Sequence, residues 1–328
     1  MDIVEIKQTW PKDFFRIDLY IGNICNYKCW YCFPGSNEGT YKWPDFDLYV
    51  EHVSHILDYY LEHTDKKKFQ IHLLGGEVTH WPRFIDFIKY FKSKYKCVFS
   101  LATNGSKKLE WWKKAAAYLD RISISHHQAF SDKSHNRDLA DYLYSQNVLV
   151  NIQVMMDPPL WNDCMQSVEF YKDSKHSWGI RYIEVIHNQA SYNKEQRQLL
   201  NSLMARKPNI FYFLRTSNIN SVKTYAVDQQ GKKHKMHDQQ LTVERLNTFT
   251  GWQCNLGVDW LNIKFDGTVA GICGNGLYAT DERFNIFDTD FIEKFQPKIT
   301  TSVCKKPACW CTFETNMSKK KVIPIHAN

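Results

Sequence analysis

Cys25-Asn26-Tyr27-Lys28-Cys29-Trp30-Tyr31-Cys32 sets three cysteines at C-x3-C-x2-C spacing within eight residues. Iron–sulfur clusters are normally held by four thiolates. A cubane bound by this loop would keep one iron without a protein ligand. An open iron is a place where a substrate or cofactor binds, by the logic that separates catalytic from structural zinc sites. The rival explanations are a zinc knuckle and a disulfide pair. A knuckle wants a nearby fourth Cys or His, and none lies between Cys32 and His52. Disulfide frameworks belong to short secreted chains, and this chain has 328 residues.

That length suits one large domain plus a smaller one. Hydrophobic residues make up 43% and charged residues 23%, the balance of a soluble globular protein. No apolar run approaches the ~20 residues of a membrane helix. The start, Met1-Asp2-Ile3-Val4-Glu5, lacks the pattern of a signal peptide. A reducing cytoplasm is the expected compartment, with no membrane partner. Of ten cysteines, three lie in the opening loop and five crowd the C-terminal quarter: Cys254, Cys273, Cys304, Cys309 and Cys311. Two such groups argue for two metal centres rather than disulfides. Cys97 and Cys164 read as buried thiols. A net charge of +7 permits an anionic partner without requiring one, and nucleic acid is not expected. The lysine runs Lys66 to Lys68 and Lys319 to Lys321 read as solvated surface.

The pattern around the loop alternates strand and helix. Strands are expected at 14–24, 69–74, 98–103, 121–125, 148–156 and 181–186. Helices are expected from Pro44-Asp45, from Pro82, and over 107–119, 135–146, 161–173 and 193–206. Such alternation implies right-handed βαβ units and a parallel sheet. The cysteine loop ends strand 1, Gly75-Gly76-Glu77 ends strand 2 and Asn104-Gly105 ends strand 3, so all three share one rim. Barrel active sites occupy that rim; an open doubly wound sheet fits the same alternation. The boundaries are placed at 1–206 for the α/β part, 207–251 for a connecting segment and 252–328 for a C-terminal domain. Within the connection, 222–227 and 240–243 are expected to pair as a hairpin across residues 231–235.

These motifs, in this order, resemble the radical S-adenosylmethionine (SAM) superfamily. The resemblance implies an α/β fold with a partial (β/α)6 barrel. It implies a [4Fe-4S] cluster on Cys25, Cys29 and Cys32, whose open iron chelates SAM. An electron from the cluster then cleaves SAM to a 5′-deoxyadenosyl radical. Carried over position by position, SAM binding falls on Tyr31, Gly75, Gly76 and Glu77. Asn104 follows from Thr103-Asn104-Gly105. Ser123 or Ser125 serves the ribose, and Arg137 pairs with the SAM carboxylate. Many relatives read Ser-Leu-Asp-Gly where this chain reads Ser123-Ile124-Ser125-His126. His126 and His127 at that strand end suit either acid–base work or a structural turn.

In the C-terminal quarter, Asp266-Gly267 between apolar runs signals a tight hairpin. It would bring Cys254 and Cys273 toward one end, joined by thiolates from Cys304, Cys309 and Cys311. Four converging sulfurs suit zinc or an iron–sulfur cluster. The pattern resembles the twitch form of the SPASM extension, a β-hairpin-plus-helix domain, which implies one auxiliary iron–sulfur cluster and one spare cysteine. The subgroup implies a peptide or protein side chain as substrate, with a small molecule such as a sugar as the alternative. It also implies a donor such as flavodoxin or ferredoxin. The rival from another class is a non-catalytic zinc protein that binds nucleic acid.

Overall fold

The computed structural model describes residues 2–9, 11–172, 178–185, 191–205, 223–236, 240–270, 284–309, 315 and 317–322. The chain divides into two compact units, neither continuous in sequence. One is built from Met1–Asp18, Asp47–Phe69 and Thr216–Asn328, the other from Leu19–Phe46 and Gln70–Arg215. Cuts at 206 and 251 follow the chain, whereas the contacts follow sheets that draw strands from distant segments.

In chain order the first half holds β1 (Ile3–Gln8), β2 (Phe14–Tyr20), α1 (Phe46–His63), β3 (Lys68–Leu74), α2 (Phe84–Lys94), β4 (Cys97–Thr103), α3 (Leu109–Ala115), β5 (Arg121–His126), α4 (Lys133–Ser145), β6 (Leu149–Met156), α5 (Trp161–Lys172), β7 (Gly179–Glu184) and α6 (Lys194–Ala205). The expected alternation is present, preceded by β1, which the pattern did not suggest. The first expected strand stops at Tyr20 because Gly22 takes a left-handed φ of +59°, which strands do not use. The helix expected over 107–119 ends at Ala115 and tightens into a 3-10 turn over Ala116–Tyr118.

In the second unit β4, β5, β6 and β7 pair in parallel, in the rows Ser123↔Asn151 and Ser125↔Gln153. Period-2 alternation sends Ile122, Ile124 and His126 of β5 to the buried side and leaves Ser123 and Ser125 half-buried on the other. α2 covers the apolar side with Phe84, Phe87, Ile88 and Phe91, spaced three or four apart. The Phe87 ring lies 4.6 Å from Phe91 and 6.3 Å from Phe99 of β4. Each such buried phenylalanine contributes about 2 kcal/mol. α4 starts at Asp132, whose carboxylate accepts from the N–H groups of Ser134 and His135. Those bonds hold its pKa below the usual carboxylate value.

The first unit holds β8 (Thr224–Asp228), β9 (Lys233–Met236), α7 (Gln240–Val243), β10 (Trp252–Cys254), β11 (Trp260–Ile263), β12 (Thr268–Ala270), β13 (Phe284–Asn285), α8 (Phe291–Lys294), β14 (Ser302–Val303) and β15 (Lys319–Lys321). Six strands form an antiparallel sheet in the order β14-β10-β15-β1-β8-β9. The expected hairpin differs in its second arm: β8 pairs with β9, and residues 240–243 are helical. The tight turn decides this. Gly231 has φ +77°, and the Asp228 carboxylate accepts from Gln230 and Lys232 N–H. The Asp266-Gly267 hairpin is present as β11 against β12, with Gly267 at φ +82°. The lysine runs are not wholly solvated. Lys66 is buried and pairs with Asp259 at 2.6 Å, and Lys319 is 3% exposed. Cys164 is buried as expected and Cys97 partly so. No helix among the described residues is long and apolar enough to cross a membrane.

Candidate active site

The loop after β2 is closed by Asn23, a fully buried side chain. Its Nδ2 donates to Gly35 O at 2.6 Å and Thr40 Oγ1 at 2.8 Å, and its Oδ1 accepts from Tyr41 N at 2.7 Å. The cysteines hang from the segment that these bonds enclose. Next to it runs the turn after β3. Gly76 N donates to Gly22 O and Glu77 N to Ile24 O. A Cβ on Gly76 would stand 2.4 Å from Ile24 O, and one on Gly75 2.8 Å from Ile21 O. The Gly-Gly pair is therefore required by two stretches of backbone pressed together just before Cys25.

Glu77 is 1% exposed. Its Oε1 accepts from Thr79 N, Thr79 Oγ1 and Thr103 Oγ1, and its Oε2 from Asn104 N at 2.6 Å. The carboxylate thus staples the end of β3 to the end of β4. Burial pushes its pKa up against these bonds. The staple aims Asn104, whose Nδ2 donates to Asn26 Oδ1 at 2.9 Å and lies 4.0 Å from Cys25 Sγ. Asn26 in turn donates to Ser106 Oγ.

On the other side of the loop, Cys29 and Tyr31 pack with Val185 at the end of β7, with Met155 of β6 against them. Trp30 Nε1 donates to Asp157 Oδ2 at 3.2 Å. His127 Nδ1 lies 2.9 Å from Tyr31 Oη and 3.3 Å from Cys29 Sγ. Burial depresses His127 to about 4. Cys29 is buried, and Cys25 and Cys32 are partly so. Burial, then the backbone bond from Tyr27, then nearby charge leave Cys25 at about 11. Burial first and the other two sulfurs next push Cys29 up to about 12.

This donor set fits an iron–sulfur cluster. Ligating thiols must lose their protons, and buried thiols that resist doing so alone need the positive charge of bound iron. Among the described residues no three His, Cys, Asp or Glu side chains close on one point that a single ion would occupy. Three thiols on one loop are the ligand type that iron–sulfur clusters take.

Residues 19–148 match the Radical SAM superfamily. Over that stretch the chain is similar to a radical SAM domain. The curated GTP 3′,8-cyclase of Mannheimia succiniciproducens is 26% identical over 124 residues, 36% of this chain and 35% of that one. The chain therefore spans about a third of that relative's length. The solved structure of native anSMEcpe with bound AdoMet aligns with a TM-score of 0.51 at 14% identity, over 86% of this chain and 81% of that one. Its tagged form with bound AdoMet gives 0.50 at 15%, over 86% and 78%. At such identities the likeness is one of fold.

Within the matched stretch the structure brings Cys25, Cys29, Tyr31, Gly75, Gly76, Glu77 and Asn104 together through the contacts above, and Cys32 joins them by donating its N–H to Cys29 O at 3.2 Å. Ser123 and Ser125 share one face of β5; Ser123 Oγ accepts from Asn151 Nδ2 at 2.8 Å and Ser125 Oγ lies 3.4 Å from Gln153 Oε1. Arg137 is not brought into this group. Its guanidinium lies 4.6 Å over the Phe170 ring, between α4 and α5, and 3.8 Å from Asp138. Sequence reasoning missed Asn23, Asp157 and the His127 contact. Only the last had a signal, the paired histidines at a strand end.

In the other unit Cys309 packs with Phe249 and Trp252, with Cys304 against the same cluster, and Cys254 sits against Met317, Leu256 and Trp260. Lys319 stands opposite Cys254 across β10 and β15. Its Nζ is 3.8 Å from Cys309 Sγ and 4.1 Å over the Phe249 ring. Cys304 is raised by its hydrogen bond with Cys309 and then by burial. Cys273 and Cys311 lie outside the described residues.

Proposed function

We propose that the protein reductively cleaves SAM and uses the resulting radical to take hydrogen from a substrate. The observation that carries this is the C-x3-C-x2-C loop fastened at a strand end, against the Gly75-Gly76 turn and Asn104. When bound there, a [4Fe-4S] cluster supplies the electron and, through its open iron, the chelation of SAM.

The chain's own residues then divide the remaining work. Cys25, Cys29 and Cys32 hold the cluster. Gly75 and Gly76 present backbone groups to the amino end of SAM. Glu77 acts mainly by fixing that turn against Asn104, since four protein donors already occupy its carboxylate. Ser123 and Ser125 offer hydroxyls to the ribose from one face of β5. Tyr31, backed by Val185 and Met155, walls the loop against water. Arg137 pairs with the SAM carboxylate only if its side chain leaves Phe170.

The C-terminal cysteines are proposed to hold an auxiliary iron–sulfur cluster in a twitch-like part of the first unit. Support comes from the described sulfurs of Cys304 and Cys309 beside the cation of Lys319. The substrate class proposed is a peptide or protein side chain, on the resemblance of this cysteine pattern to peptide-modifying enzymes. A cytoplasmic flavodoxin or ferredoxin would supply electrons. Anaerobic reconstitution tests the reading. A brown protein whose reduced-cluster EPR signal changes on adding SAM supports it. A colourless protein containing zinc removes it.

A further inference from the structure

We propose that His127 is a positioning residue for the cysteine loop. Its Nδ1–H donates into the Cys29–Tyr31 pair and so sets the posture and reduction potential of the cluster held there. The inference rests on the function proposed above. His127 follows β5 directly, and its backbone is fixed by the next turn. Its N–H donates to Ser131 Oγ at 3.0 Å, and Phe130 and Ser131 N–H donate to its carbonyl at 2.9 and 2.8 Å. The ring lies flat against Tyr31, with centroids 5.8 Å apart at 16°, and edge-on to Tyr27 at 5.9 Å and 84°. Two aromatic side chains thus leave the imidazole little freedom to turn Nδ1 away.

The donor inventory fixes the direction. A cysteine sulfur that ligates iron is a thiolate and only accepts, whereas a phenol both accepts and donates. The single nitrogen that meets both, at 3.3 Å from Cys29 Sγ and 2.9 Å from Tyr31 Oη, must then carry the proton. Hydrogen bonds to cluster sulfurs favour the more negative, reduced state and raise the potential. Partners of ligating groups also hold them in place. This assigns a role to the strand-end histidine that the motif comparison leaves unassigned.

Two variants test it. His127→Phe keeps a flat ring against Tyr31 and removes the N–H; His127→Asn loses the ring but keeps a donor near the Nδ1 position. Wild type and both variants are reconstituted anaerobically, and iron, sulfide, the visible spectrum and the midpoint potential are measured. The expected result is a lower potential and altered sulfur-to-iron bands in the Phe variant, largely restored in the Asn variant. Loss of iron from the Phe variant with retention in the Asn variant also supports the assignment. A Phe variant with the wild-type potential and spectrum overturns it, as does equal loss of iron from both variants. If the wild type takes up no cluster, the proposed function and this inference fall together. A normal wild-type cluster beside an unshifted Phe variant sinks the inference alone.

Discussion

Cys25, Cys29 and Cys32 hang from a loop fastened by polar side chains at strand ends, whereas Cys254 and Cys309 sit among apolar side chains, Cys309 beside a buried lysine. In the first region Asn23, Glu77 and Asn104 spend their hydrogen bonds on the scaffold itself. In the second, Asn247 pins Cys309 by accepting its N–H at the main-chain carbonyl and donating from Nδ2 to its carbonyl, and Lys319 brings its ammonium to the sulfur. The difference teaches how each region would carry charge. The first loop keeps its thiols protonated until iron arrives. The second sets a buried ammonium directly beside the Cys309 sulfur, whereas in the first the Lys28 charge acts on Cys25 and Cys32 against their burial.

The largest effect that would break this comparison is metal loss. Changing Cys254 and Cys309 to Ala is expected to lower iron by one cluster's share, about four atoms for a cubane. The Cys25 loop should keep its own cluster. Iron, zinc and sulfide analysis of wild type and variant decides it. Equal iron with zinc lost makes the second centre a structural zinc and removes the auxiliary cluster.

Next comes the staple. Glu77→Gln replaces an acceptor facing Asn104 N with a donor, and should destabilise the apoprotein by about 2 kcal/mol. Urea unfolding reads this; an unchanged midpoint would mean that the carboxylate does not hold the strand ends. The pH dependence has a definite sign. Burial raises the folded pKa of Glu77 above its ordinary 4.5. The folded state then holds the proton more tightly than the unfolded state does. Its contribution is fully present below 4.5 and is lost as pH rises through the folded value. Relative to the Gln variant, wild-type stability should therefore fall across that window.

The smallest effect concerns Arg137. With its guanidinium over Phe170 and only half-buried, Arg137→Ala should cost at most about 1 kcal/mol. It should leave the SAM titration of the cluster spectrum unchanged. A clear loss of SAM affinity would return Arg137 to the site.

What the sequence made legible was local. The cysteine spacing, the Gly-Gly-Glu and the Asn-Gly each follow a strand within a few residues, so period and punctuation were enough to put them on one rim. The glycines were read as room for a ligand, but Gly76 is pressed on Ile24, a partner more than 50 positions away that spacing does not reveal. Asp157 and His127 matter through contacts of the same long-range kind, and Asn23 through partners 12 to 18 positions on. Lys319 looked like one of three surface lysines because composition carries no register. Its burial follows from pairing with β10. The boundaries at 206 and 251 assumed that domains follow the chain, whereas β1 and β15, at opposite ends of it, lie side by side.

Radical chemistry at the Cys25 loop requires that the loop cleave SAM. The most direct measurement is the yield of 5′-deoxyadenosine from SAM under dithionite, in wild type and in the variant with Cys25, Cys29 and Cys32 all changed to Ala. Several turnovers are expected from the reconstituted wild type and none above background from the variant, with metal at the C-terminal centre retained. Wild-type yield from the triple variant, or no product from a wild type that holds its full iron, would contradict it.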